Sequence, residues 1–289
     1  MLKRTILLML ILCSVLYCKQ EAEKPPTEFE LGINLFEGGD LTGAIEMWQI
    51  ALEKAPKLAP AWFNMATAYD MLNQDSMALI CYKKAAELDT ADEDPWIYMA
   101  QIYRKQKNFE KVAESYENAI DRKSDDPELF NKLGIAYDQL GQYSSALAML
   151  NSAVERDSFY MSAWVNKLIV HNHSGQYDST IYYKEKFLSI FDDEPVSYVQ
   201  FAIAYHYLGQ EENALAAIDS ALAIYPDLAS AHYYKGLILL TLDKLDESMA
   251  EITRAVELVP DYREIASQDE ELEPIKNTRQ FRELIEQKE

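Results

Sequence analysis

Residues 59–92 read APAWFNMATAYDMLNQDSMALICYKKAAELDTAD, and this stretch decides the fold. Its apolar residues fall into two runs: Trp62, Met65, Ala66 and Tyr69, then Ala78, Leu79, Tyr82, Ala85 and Ala86. The helical spacing of three or four within each run puts these side chains on one face of a helix. Between the runs stands Asn73, a residue type that readily takes the left-handed conformation in which helices end. The stretch therefore predicts two helices joined by a tight turn.

Working outward, the pattern recurs with no insertion or deletion. Seven blocks of equal length span 25–58, 59–92, 93–126, 127–160, 161–194, 195–228 and 229–262. Numbering places within each block, place 8 holds Gly32, Ala66, Ala100, Gly134, Leu168, Ala202 and Gly236. Place 20 holds Ala44, Ala78, Val112, Ala146, Thr180, Ala214 and Ser248, and place 27 Ala51, Ala85, Ala119, Ala153, Phe187, Ala221 and Ala255. Side chains this small let the two helices of a hairpin approach closely. Place 15 holds Gly39, Asn73, Lys107, Gly141, Gly175, Gly209 and Asp243, mostly types suited to a left-handed turn. Place 32 holds Pro56, Thr90, Ser124, Ser158, Asp192, Pro226 and Pro260, which read as helix breakers or caps. A fixed period means stacked units, none of which buries its apolar face alone. The fifth block departs most: Leu168 and Phe187 replace small residues, His171 replaces a Tyr, and Lys184 sits at an apolar place.

The period, the small residues at places 8, 20 and 27, the Tyr at place 11 (Tyr69, Tyr103, Tyr137, Tyr205) and the Pro at place 32 resemble the tetratricopeptide repeat. The resemblance implies an all-α, right-handed superhelical solenoid of seven helical hairpins. Residues 263–289, with Phe281, Leu284 and Ile285 at helical spacing, read as a C-terminal capping helix. It also implies a scaffold that binds a protein or peptide in a concave groove lined by the first helix of each hairpin. The groove places carried onto this chain include Phe29, Ile33, Phe36, Phe63, Met71, Ile97, Arg104 and Asn131. They continue with Ile135, Asn172, His173, Val199, His206, Tyr207, Tyr233 and Leu237. Aromatic and apolar residues gather at both ends of that list, which favours an extended peptide or helix as ligand. One variant of the family clamps the carboxylate of chaperone tails with Lys, Asn and Arg. Asn64 fills one of its places here, but Phe29, Ile33, Asp94 and Tyr98 occupy others, so that clamp is absent from the first three blocks.

Composition narrows the partner. The formal net charge is −21, which repels phosphate backbones and argues against nucleic acid. Ahead of the repeats, Lys3 and Arg4 precede an apolar run from Thr5 to Tyr17, then Cys18 and a polar tether over 19–24. This resembles a bacterial lipoprotein signal over 1–18 with lipidation at Cys18, although Tyr17 stands where Gly, Ala or Ser is usual. The expectation is an exported chain of the cell envelope, lipid-anchored at Cys18, otherwise periplasmic or secreted, touching membrane only through that anchor.

No sequence signature of catalysis, phosphate binding or a cysteine–histidine metal site occurs, so neither enzyme activity nor a cofactor is expected. All four histidines lie in the last three blocks, with His173 and His206 at neighbouring groove places. His171 reads as core and His232 as stacking. The reading is a non-enzymatic scaffold of the bacterial envelope; the second is an envelope lipoprotein binding a small ligand or glycan.

Overall fold

The computed structural model describes residues 27–122, 125–191 and 194–286; the signal segment, the tether and Cys18 lie outside these. Every regular element is helical, and no strand occurs among the described residues. The chain divides at Leu140 and Gly141 into two compact units. The first holds α1 (Thr27–Glu37), α2 (Leu41–Lys54), α3 (Ala59–Met71), α4 (Asp75–Leu88), α5 (Asp94–Lys105), α6 (Phe109–Ile120) and α7 (Pro127–Gln139). The second holds α8 (Tyr143–Arg156), α9 (Met161–His173), α10 (Tyr177–Leu188), α11 (Pro195–Tyr207), α12 (Glu211–Ile224), α13 (Ala229–Thr241) and α14 (Leu245–Leu258). It ends with α15 (Tyr262–Gln268), a 3₁₀ turn (Glu270–Leu272), α16 (Glu273–Lys276) and α17 (Arg279–Glu286).

The turn inside each hairpin is set at place 15. All seven residues there have positive φ, including Lys107 at 56°, the one type the sequence did not favour. In hairpin 2, Asn73 N–H donates to the Asp70 carbonyl and Gln74 N–H to the Tyr69 carbonyl, both at 2.9 Å. The same pair of bonds recurs around Gly39, Lys107, Gly175, Gly209 and Asp243. These are Schellman-type endings, which satisfy carbonyls the helix itself leaves open.

Places 8, 20 and 27 are buried throughout the described hairpins, as close helix approach requires. Gly32 shows how close: a Cβ there would sit 2.4 Å from Trp48 Nε1. A second repeated contact comes from the ring at place 4. Trp62 Nε1 donates to the Pro56 carbonyl and Trp164 Nε1 to the Ser158 carbonyl, both at 3.0 Å, and His232 Nε2 pairs with the Pro226 carbonyl at 2.9 Å. Each ties the start of a first helix to the loop before it. His232 also pairs through Nδ1 with Glu251, so it is a hydrogen-bonded residue rather than a stacking one.

Hairpin 5 solves its irregular sequence by local repacking. Leu168 and Phe187 are fully buried, and α9 and α10 pack less closely than the helices of hairpins 1, 2, 3, 6 and 7. Thr180 donates to Asn172 Oδ1 at 2.8 Å, and Asn172 Nδ2 donates to the Gln200 carbonyl at 2.9 Å, stitching hairpin 5 to hairpin 6. His171, also buried, stacks on Tyr183, and Lys167 Nζ lies 3.9 Å from the centroid of that ring. Burial first, then the neighbouring Lys186 charge, lower the Lys167 ammonium to a pKa of about 8.

The cap covers hairpin 7. Ala266, Leu272, Ile275, Phe281 and Leu284 pack against Tyr233, Leu237, Met249, Ile252 and Val256. Its buried side chains are not confined to the spacing of Phe281, Leu284 and Ile285: Leu272 and Ile275, on either side of Pro274, are fully buried.

Candidate functional site

First helices present their open edge at one register. Place 13 is exposed in all seven hairpins: Glu37, Met71, Lys105, Gln139, His173, Tyr207 and Thr241. Place 5, one of the family's groove places, is the opposite. Phe29, Phe63, Asn131, Val199 and Tyr233 are buried there, and Ile97 is half-buried. The physical reason is visible in hairpin 2, where the Phe63 ring lies 5.5 Å from both Tyr82 on α4 and Tyr98 on α5. The Phe63 side chain thus fills the angle between its own second helix and the next hairpin.

In the first unit, therefore, Phe29, Phe63 and Asn131 are not open on the first-helix face. Ile33 and Phe36 are half-buried, with Phe36 tilted against Trp48 at 5.8 Å. Met71 (47% exposed), Ile135 (38%) and the exposed Arg104 remain. Beside Met71, Asp70 pairs with Lys105 at 2.8 Å, joining hairpins 2 and 3 along the same edge. Below it, Thr67 bonds the Phe63 carbonyl and the Tyr82 hydroxyl, and burial pushes the Tyr82 phenol far above its ordinary pKa. The Tyr82 phenol there is neutral.

In the second unit, Asn172, Val199, His206, Tyr233 and Leu237 are buried, and His173 and Tyr207 are exposed. His173 and His206 are not brought together as ligands of a shared ion. His206 Nδ1 lies 2.8 Å from Glu211 Oε2, and its Nε2 lies 3.3 Å from Glu271 Oε2. The Tyr207 hydroxyl donates to Glu271 Oε1 at 2.5 Å, and the Tyr233 hydroxyl donates to Asp269 Oδ2 at 2.5 Å. Tyr207 also stacks on Tyr177 at 4.8 Å. The 3₁₀ turn of the cap thus reaches back onto the first helices of hairpins 6 and 7.

Electrostatics agree with this geometry. Burial opposes a charged His206, but the bonds to Glu271 and Glu211 outweigh it and raise the imidazole above its ordinary pKa. The His206 bond is the main cause holding Glu271 below the usual carboxylate range. With a carboxylate at each ring nitrogen, imidazolium is the form that donates to both. Burial first, then the bonds to Glu271 and Asp269, push the Tyr207 and Tyr233 phenols well up, so both hydroxyls stay donors.

Sequence reasoning missed Glu211, Asp269 and Glu271. Glu211 was legible in principle, because the turn at Gly209 folds the start of α12 back under the end of α11. Asp269 and Glu271 lie outside the period, and nothing in the repeat could place them. Among the described residues no group of three His, Cys, Asp or Glu could hold a metal ion. No helix there is long and apolar enough to cross a membrane.

Family models described as tetratricopeptide repeat match residues 59–92, 131–183 and 199–263, and one described as TPR repeat matches 100–141. An N-terminal acetyltransferase A complex subunit-like protein of Schizosaccharomyces pombe is 24% identical over 137 residues, 47% of this chain. The match spans 20% of that relative's length. The fold is similar to that of a tetratricopeptide repeat protein from Parabacteroides merdae, at 19% identity and TM-score 0.60, over 90% of this chain and 96% of that one. It is also similar to YrrB, described as a TPR protein with an unusual peptide-binding site. That likeness has 23% identity and TM-score 0.56, over 65% of this chain and 97% of that one. With the period, the place-15 turns and the small-residue contacts in agreement, the chain belongs to the tetratricopeptide-repeat proteins.

Proposed function

We propose that this chain is a non-catalytic scaffold that holds a peptide or protein segment against the first-helix edges of its hairpins. The observation that carries this reading is the exposure of apolar side chains on the first helices of the first unit. There Met71 stands open at place 13 of α3 and Ile135 at place 9 of α7. Single exposed apolar residues are ordinary, but two on the first helices of one unit give a ligand more than one anchor. Repeat proteins of this kind generally bind proteins or peptides, and YrrB is described as having a peptide-binding site.

Export to a bacterial envelope, with lipidation at Cys18, belongs to the same proposal. It is supported by Lys3 and Arg4, the apolar run that follows them, and the cysteine at its end. Labelling with a palmitate analogue tests it: the label is expected on the wild-type chain and absent from Cys18→Ala.

Photo-crosslinking tests the scaffold reading. A benzophenone side chain at Met71 or Ile135 is expected to trap a partner covalently. The same group at Ile80 or Tyr182, exposed on the second helices α4 and α10, is expected to trap none. The reverse pattern would overturn the assignment of the binding face.

A further inference from the structure

The contacts of residues 269–271 have the form of a bound ligand. Two carboxylates from outside the repeats meet three donors at groove places of hairpins 6 and 7: His206 at place 12, Tyr207 at place 13 and Tyr233 at place 5. The partners are 64, 65 and 36 residues apart in sequence, so chain proximity does not explain the pairing. Glu271 N–H in turn donates to Asp269 Oδ1 at 2.9 Å, fixing the spacing of the two acids. Glu271 remains partly open, its side chain 38% exposed. The donors are tyrosine hydroxyls and an imidazole, unlike the Lys, Asn and Arg set of the chaperone-tail clamp.

We propose that the first-helix face of hairpins 6 and 7 is a binding site for peptides that present two acids in a tight turn, and that residues 269–271 occupy it as an internal ligand. The inference rests on the peptide-binding reading above and names the ligand class for one part of that face. Tyr207 and Tyr233 each donate to one carboxylate, and His206 shares that of Glu271, so two acids separated by one residue are what the site reads. An intramolecular occupant competes at a high effective concentration, so a partner in solution meets a closed site. It gains the donors only when the turn releases them.

The test uses a peptide with the sequence of residues 267–273 and the full chain. Asp269→Asn with Glu271→Gln keeps Leu272 and Ile275 in the core while weakening the internal ligand. This variant is expected to bind the peptide at least 10-fold more tightly than the wild type. Adding Tyr207→Phe and Tyr233→Phe to it is expected to remove the gain. Equal affinity in wild type and variant, absence of binding to both, or binding that survives loss of the two hydroxyls would overturn the proposal. A second measurement avoids variants altogether. Peptide added to the wild-type chain is expected to raise hydrogen exchange over residues 262–276, and no rise at millimolar peptide would also overturn it. A partner trapped through Met71 and Ile135, with no peptide binding here, would remove this inference and leave the scaffold reading standing.

Discussion

The indole of Trp48 lies against Gly32 so closely that a methyl group on the glycine would sit 2.4 Å from Nε1 and 2.6 Å from Cδ1. The same indole donates to the Phe29 carbonyl at 3.3 Å, one turn earlier on α1. Gly32→Ala must therefore push a fully buried ring out of register. The expected cost is about 1–3 kcal/mol, as for overpacked cores. Thermal unfolding checks it against Gly38→Ala, where the nearest atoms are 3.4 Å away and little change is expected. Equal melting of the two variants would contradict the close-packing account.

Lys107 carries φ of 56° at the place where its counterparts are Gly, Asn or Asp. A side chain with Cβ pays for that conformation, and Asn tolerates it better than Lys. Lys107→Asn is expected to stabilise the chain by about 0.5–1 kcal/mol, read as a higher Tm. A lower Tm would mean that the Lys107 side chain contributes something the turn geometry does not show.

Lys167 is only 6% exposed and rests on the faces of Tyr183 and Trp164. Its native pKa of about 8 lies below the ordinary 10.5. Stability linked to this group is therefore missing below about pH 8 and appears as pH rises from there toward 10.5. Lys167→Met, which keeps the stem and removes the charge, is expected to raise stability at pH 7 by about 1 kcal/mol. It should also abolish the alkaline gain. If Lys167→Met lowers the Tm at pH 7, the cation–ring contacts outweigh the burial cost.

His206 and Glu271 set a pH window for the cap contact. The raised His206 contributes stability that is complete below its unfolded pKa, about 6.5, and is lost as pH rises through its native value. The lowered Glu271 contributes stability present above 4.5 and lost as pH falls through its own native value. The carboxylates facing His206 are Glu211, at the start of α12, and Glu271, in the 3₁₀ turn, with Tyr207 sharing the latter. The contact is thus firmest in mildly acidic solution, between pH 4.5 and 6.5, and loosens as pH rises through the native His206 value. An NMR titration of the His206 ring should give a pKa above 6.5 that falls in Glu271→Gln. An unchanged value in that variant would deny the pairing.

Much of the fold was legible because it depends on local rules repeated seven times. Two apolar runs at helical spacing, a small residue at places 8, 20 and 27, and a turn residue at place 15 dictate one hairpin, and the period dictates the rest. Even the outlier Lys107 obeys the geometry its place imposes. The candidate site was less legible, because exposure depends on what each helix meets next. Phe29, Phe63, Val199 and Tyr233 occupy groove places, yet neighbouring rings and the cap bury them. Asp269 and Glu271 escaped notice for a different reason: as part of a polar stretch they look solvated, and their partners lie one and two hairpins back.

The binding face itself is tested most directly by affinity for the crosslinked partner. With that partner purified, the account predicts that Met71→Glu combined with Ile135→Glu raises the Kd at least 10-fold, a loss of about 1.4 kcal/mol or more. Ile80→Glu, on the exposed side of α4, should leave it unchanged. An unaltered Kd for the double variant, or a loss confined to Ile80→Glu, would contradict binding through the first helices.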